Sequence, residues 1–179
     1  VAGLKEVGAS VTTISSRGIE QYESAAYTVA EQIMELETTR AQLIPCAPSG
    51  SVDNACARQA LGPFARRAWR RPLSAEELDT LVGLASTAST SLGDFHDGLE
   101  YGFAAILQSP NFLFSIERGE DDPEHPGTLR YTDHEMASRL SYFLWNTTPD
   151  EELLTAADAG ELTTEPGLEV QVDRMLAHN

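Results

Sequence analysis

Ser16-Arg-Gly-Ile-Glu-Gln-Tyr-Glu-Ser-Ala-Ala-Tyr-Thr-Val-Ala-Glu-Gln-Ile-Met-Glu-Leu-Glu37 is the stretch from which the fold class is first read. Along it Ile19, Tyr22, Ala26, Val29, Ile33 and Leu36 recur at alternating intervals of three and four, the spacing of one apolar stripe on an amphipathic helix. Ala25, Ala26 and Ala30 add small side chains that allow close approach to a neighbour, although six apolar positions do not define a coiled coil. The stripe is therefore assigned to a core. Upstream, Val1 to Ser15 sets Val11, Thr12, Thr13 and Ile14 among glycines and reads as an extended lead-in.

Three further helices announce their starts with one device: a Ser or Thr whose side chain caps the first turn, and a Glu three residues on that reaches back. The pairs are Ser74 with Glu77, Thr132 with Glu135, and Thr148 with Glu151. Pro149 then falls at the first helical position, where its missing N–H costs nothing. Another helix starts near Asp53, which caps it, and runs through Phe64 to about Trp69, with Pro63 expected to kink or break it. Phe95, Leu99, Phe103, Ile106 and Leu107 give a face that stops near Ser109-Pro110. Met136, Leu140, Phe143 and Leu144 form one helix face, and Leu153 and Leu154 sit on a short helix. Leu168, Val172, Met175 and Leu176 begin a last helix that reaches His178-Asn179 without a stop signal. The expectation is an all-α fold of about six or seven helices in an orthogonal or bundle-like packing, with no internal repeat.

The stretch from Gly119 to Gly127, acidic and punctuated by two prolines and two glycines, marks a boundary. It divides the chain into residues 1–54 (lead-in, long helix and cysteine-bounded loop), a small helical domain over 55–119, an acidic linker over 120–129, and the truncated start of a second helical domain over 130–179.

With 41% hydrophobic and 22% charged residues the composition is that of a globular chain, and no apolar run approaches the ~20 residues of a membrane span. The chain begins Val-Ala-Gly without a leader pattern, so an export signal, if the protein has one, lies upstream. The formal charge of −16 is unevenly placed: eight Lys/Arg face seven Asp/Glu up to Arg71, and four face twenty-one beyond it. A field of that sign repels phosphate backbones and excludes nucleic acid as a partner. It suits basic partners or cations, or serves solubility alone.

Cys46 and Cys56 bound a loop rich in Pro, Gly, Ser and Asn. A disulfide is the first reading; two buried thiols of a cytosolic protein and a metal or redox pair are the alternatives. No nearby His completes a structural zinc site, and no Cys-x-x-Cys-His attaches haem, so neither a metal site nor a cofactor is assigned. The cluster Arg66, Arg67, Trp69, Arg70 and Arg71 is the candidate interaction site. Its guanidiniums and indole suit an acidic partner or a carboxylate ligand, or else they pair with the chain's own carboxylates and tie helices together. His96, His125, His134 and His178 are scattered, with no ligand spacing. Asp94, Asp97 and Glu100 suit a helix N-terminus, and Glu120, Asp121, Asp122 and Glu124 do not match an EF-hand. No Gly-x-Ser-x-Gly elbow or phosphate-cradling loop is present, and Asn146-Thr-Thr148 fits a glycosylation acceptor less well than a helix start. Catalytic residues cannot be assigned.

Several strings in order carry a resemblance: Glu20-Gln-Tyr-Glu-Ser-Ala-Ala26, Ile44-Pro-Cys46, Cys56-Ala57, Phe64-Ala-Arg-Arg-Ala-Trp-Arg-Arg-Pro-Leu73, Leu107-Gln-Ser-Pro-Asn-Phe-Leu113, Ala137-Ser-Arg-Leu-Ser-Tyr-Phe-Leu-Trp145, Pro149-Asp150 and Gln171-Val-Asp-Arg-Met-Leu176. In this order they resemble the planctomycete-specific-domain (PSD) proteins, large exported bacterial polypeptides built from consecutive domains of unknown function, many with a cytochrome c module. The resemblance implies one complete domain from about Cys56 to Arg118 and the first part of the next from about Arg130. It also implies an extracytoplasmic location in the periplasm or at the cell surface, and as partners the other domains of the parent polypeptide, including a cytochrome c module where one is present. It supplies no catalytic residues. A non-catalytic scaffold and interaction domain is the expected function; a component of an envelope oxidoreductase or hydrolase, or an acidic cation-binding module, are the alternatives.

Overall fold

The computed structural model describes residues 15–177; of the lead-in expected over Val1 to Ser15 all but Ser15, and the chain end at His178-Asn179, lie outside the described residues. The described residues form α1 (Ser16–Glu35), α2 (Glu37–Leu43), α3 (Asn54–Trp69), α4 (Ala75–Leu92), α5 (Phe95–Gln108), α6 (Pro110–Leu113), α7 (Asp133–Leu144), α8 (Glu151–Asp158) and α9 (Glu165–Ala177). A single antiparallel pair, β1 (Glu120–Asp121) with β2 (Leu129–Arg130), lies within and beside the acidic stretch. The fold is all-α as expected, with short α2 and α6 as elements the periodicity did not reveal. The helix expected over Ser16–Glu37 divides because Leu36 leaves helical geometry, at φ −80° and ψ 100°.

The local start signals operate as side-chain chemistry requires. Ser74 and Thr132 each accept from the N–H of the Glu three residues on, and the carboxylate of that Glu accepts in turn from the backbone N–H of the cap residue. Asp53 caps α3 through the Cys56 N–H, and Asp94 caps α5 through the His96 and Asp97 N–H groups. The third expected box does not form. Asp150, not Thr148, caps α8 by accepting from the Leu153 N–H, and Pro149 is buried ahead of the cap. Asp150 is held in that role by Arg174, whose Nη1 and Nη2 lie 2.7 and 3.0 Å from its two oxygens. Pro63 does not break α3, which continues to Trp69. It is exposed, as is Gln59 four residues before it, so the carbonyl deprived of its helical partner faces water.

Two groups of buried side chains organise the chain. In the first, Ala30, Ile33 and Met34 of α1 join Leu61, Ala65 and Trp69 of α3, Leu81 and Val82 of α4, and Leu99, Phe103 and Ile106 of α5. In the second, Ala137 of α7 packs with Leu153, Ala156 and Ala157 of α8, Leu162, and Met175 of α9. The buried face of α1 thus differs from the expected stripe. Ala26 and Ile33 are buried, but Ile19, Tyr22, Val29 and Leu36 are exposed, because the neighbour covers the face of Ala26, Ala30 and Met34. On α7 the expected face is also displaced: Ala137, Ser138 and Ser141 point inward, Met136, Leu140 and Leu144 flank them, and Phe143 is 85% exposed.

One close approach sets the geometry of the first group. A Cβ added at Gly98 of α5 would overlap both the hydroxyl and the backbone of Ser89 on α4, so only glycine lets these helices meet there. One turn on, a Cβ at Gly102 would lie 2.9 Å from the Leu61 methyls of α3. No helix of the described residues is long and apolar enough to cross a membrane.

Candidate functional site

Cys46 and Cys56 are joined in a disulfide, which resolves the three readings of this pair. Cys56 stands in the first turn of α3, directly above its Asp53 cap. Asp53 also accepts from the Ser49 N–H and hydroxyl, and these hydrogen bonds, led by that from Cys56, lower its pKa to about 2. The cross-link and the cap therefore fix the same loop from both ends.

The basic cluster is resolved residue by residue. Arg66, on the outer side of α3, reaches α8: its Nη2 lies 2.7 Å from Asp158 Oδ2, its Nη1 3.3 Å from Asp158 Oδ1, and its Nε 3.3 Å from Glu151. Asp158 also meets His134 Nε2 at 2.9 Å. Partial burial raises the Asp158 pKa, yet hydrogen bonds from Arg66 and His134 outweigh it and the net shift is downward. Arg71 grips both oxygens of Glu77 at 2.9 and 2.7 Å, which pulls the Glu77 pKa down and adds a third partner to the capping box of α4.

Arg70 and Trp69 are buried and serve backbone carbonyls. Trp69 Nε1 donates to the Ile106 carbonyl near the end of α5. Arg70, 5% exposed, donates to the carbonyls of Ala68, Asn111, Phe112 and Phe114. These carbonyls belong to the last turns of α3 and α6, where helical partners run out and the dipole is negative, so a cation is the group that suits them. Arg70 itself caps α3 in the left-handed region at φ 60°, a conformation its hydrogen bonds must hold. Arg67 is exposed and makes no hydrogen bond or ion pair with the described residues.

Beside the cluster an open cleft of about 750 Å³ lies between the α3–α4 turn and the first turns of α7. It contains Trp69, Arg70 and Arg71 from the expected site, together with Glu77, Arg118, His134 and Glu135. Arg66 and Arg67 are not part of it. Glu135 accepts from the backbone N–H groups of Thr132, Arg118 and Gly119, so its charge serves a turn. Elsewhere His125 meets Asp122 at 2.9 Å, and Arg130 donates to Glu120 across the strand pair. Among the described residues, no group of three His, Cys, Asp or Glu is placed to hold a metal ion. Arg118, His134 and Glu135 escaped sequence reasoning because nothing local links them to residues 69–77; only the Thr132 capping box hinted that Glu135 would be fixed.

The described residues thus form a predominantly helical, disulfide-linked fold in which Arg66, Arg70 and Arg71 are engaged at helix ends and in ion pairs. Two family models match the chain: residues 56–117 match PSD5, protein of unknown function (DUF1595), and residues 131–179 match PSD4, protein of unknown function (DUF1592). Together they span more than half of the chain, and the chain belongs to the planctomycete-specific-domain family. The first match begins at Cys56, so the disulfide ties it to the segment before it. No curated protein and no solved structure matches the chain.

Proposed function

We propose that this chain is a non-catalytic helical scaffold, without a cofactor of its own, that positions neighbouring domains of a larger extracytoplasmic polypeptide, a cytochrome c module among them. The observation that carries this reading is the use made of the basic cluster. Arg66 spans from α3 to α8, Arg70 closes the ends of α3 and α6, and Arg71 closes the start of α4. Three of four guanidiniums in the most reactive-looking stretch are committed to holding helices in place. The disulfide supports an oxidising compartment, since reducing cytosols keep such pairs open. Family membership supports a multidomain parent, because the two matched models are consecutive modules.

The test is to delete residues 15–177 from the parent polypeptide and compare protease protection and haem content of the remaining domains with the intact protein. The scaffold reading expects those domains to remain folded but to lose their mutual protection. Turnover by the isolated chain on glycan, peptide or quinone substrates, at a rate abolished by changes lining the cleft, would overturn it in favour of an enzyme component. Arg70→Ala is unsuited to that purpose, because removing a buried guanidinium from four carbonyls unfolds the site before it informs on chemistry.

A further inference from the structure

The cleft carries a charge bias opposite to that of the chain around it. The protein has a formal charge of −16, yet three arginines, Arg70, Arg71 and Arg118, line the cleft against two carboxylates, Glu77 and Glu135. Both carboxylates are occupied, and so are Arg70, on its four carbonyls, and Arg71, on Glu77, which leaves Arg118 as the uncommitted charge. Glu77 is held by Arg71 and accepts from the Ser74 N–H, and Glu135 accepts from three backbone N–H groups. Arg118 is exposed, and its guanidinium makes no hydrogen bond or ion pair with the described residues. Between these charges lie the apolar surfaces of Leu73, Phe114 and Ile116, the last 45% exposed, while Trp69 is buried behind them with Arg71 over its ring. The volume, about 750 Å³, is within the range of pockets that enclose a small ligand or a few side chains.

We propose that this cleft is the docking groove for an acidic peptide segment that bears an aromatic or aliphatic residue. Its carboxylates meet Arg118 and the outer edge of Arg71, and its apolar residue lies against Phe114 and Ile116. Charge complementarity selects this occupant. A basic segment would face Arg118 with no free carboxylate to offset it, whereas an acidic one finds a guanidinium that no part of the described chain has claimed. The chain's remote carboxylates do not cancel the attraction, because at physiological ionic strength charges beyond about 8 Å are largely screened. The inference rests on the scaffold reading, in that the segment belongs to a domain which this chain positions.

The test is titration of the full 179-residue chain with Ac-Glu-Asp-Phe-Asp-Glu-NH2, followed by backbone amide NMR shifts, beside the neutral peptide Ac-Gln-Asn-Phe-Asn-Gln-NH2. Saturable shifts at Ser115, Arg118 and His134 are expected, weakening as salt is raised, with at least a fivefold loss of affinity in Arg118→Glu and an intermediate loss in Arg118→Ala. Both variants keep the backbone N–H bonded to Glu135, and the milder one serves if charge reversal disturbs the fold. Equal binding of the neutral peptide, full affinity in Arg118→Glu or Arg118→Ala, shifts elsewhere on the molecule, or no saturation at millimolar peptide would each overturn the proposal. A negative result leaves the scaffold reading standing, since that reading fails on turnover or on the deletion experiment instead.

Discussion

The guanidinium of Arg66 and the carboxylate of Asp158 meet in a two-point contact across 92 residues of sequence, and this contact joins α3 of the first buried group to α8 of the second. It is half in solvent: the Arg66 side chain is 19% exposed and that of Asp158 42%. A pair so placed is worth far less than a buried one, because water and salt screen it. A double-mutant cycle with Arg66→Ala and Asp158→Ala is expected to give a coupling of about 0.5–1 kcal/mol in urea unfolding, decreasing with salt. Coupling indistinguishable from zero at low salt would mean that the pair does not tie the two groups in solution.

Arg70 is expected to behave in the opposite manner. Its charge is buried and shared among four carbonyls, so removal leaves those buried and part-buried acceptors without their donor. Arg70→Met should lower stability by about 3 kcal/mol or more. Arg70→Lys should recover only part, since an ammonium lacks the fork that reaches both helix ends. Arg70→Gly relieves the left-handed backbone yet should still be less stable than the parent chain. Urea midpoints rank the three, and a Lys variant equal to the parent would contradict the carbonyl-fork account.

These two arginines also show how far the sequence could be read. Local chemistry was legible: the caps at Asp53, Ser74, Asp94 and Thr132 depend on atoms within three residues of each other. Thr148 misled because Asp150, two residues on, caps equally well, and Arg174 decided between them from 24 residues away. The apolar pattern marked α1 and α7 as helices but not which flank the fold covers, so Val29 and Phe143 emerged exposed while Ala30 and Ala137 were buried. The Arg70 carbonyl set and the cleft are assembled from segments some forty to seventy residues apart, and neither periodicity nor a motif encodes such a meeting.

Gly98→Ala tests the closest helix contact. The new methyl must displace the Ser89 backbone as well as its hydroxyl, so α4 and α5 have to separate. A loss of about 3 kcal/mol is expected from overpacking of this kind. Adding Ser89→Gly should restore only a fraction, because the backbone overlap persists. Thermal melts of the single and double variants provide the comparison; full rescue would show that the hydroxyl alone was limiting.

The disulfide yields a direct chemical prediction. Thiol titration of the denatured, unreduced chain should find no free thiol. Reduction, or Cys46→Ser with Cys56→Ser, should lower stability by about 3 kcal/mol on the loop-closure model, given the separation of 10 residues. The adjacent Asp53 cap adds a pH dependence. Its folded pKa lies below the usual aspartate value, so its contribution is intact above about pH 4 and is lost as pH falls toward 2. Asp53→Asn retains a capping oxygen and should flatten that part of the acid-unfolding curve.

Glu100 carries the reverse sign. It is half-buried on α5, and burial, followed by repulsion from Glu31, Asp97 and Glu35, raises its pKa above the ordinary glutamate value. A carboxyl that ionises less readily in the folded chain than in the unfolded one opposes folding above its folded pKa, and ceases to do so once pH falls below its unfolded value. Glu100→Gln is therefore expected to stabilise the chain at pH 7, with the gain shrinking as pH is lowered through the carboxylate range. Urea unfolding of parent and variant at pH 7 and pH 4 checks both halves of this statement. A variant less stable than the parent at pH 7 would show that the Glu100 charge is compensated in solution by a partner that outweighs its acidic neighbours.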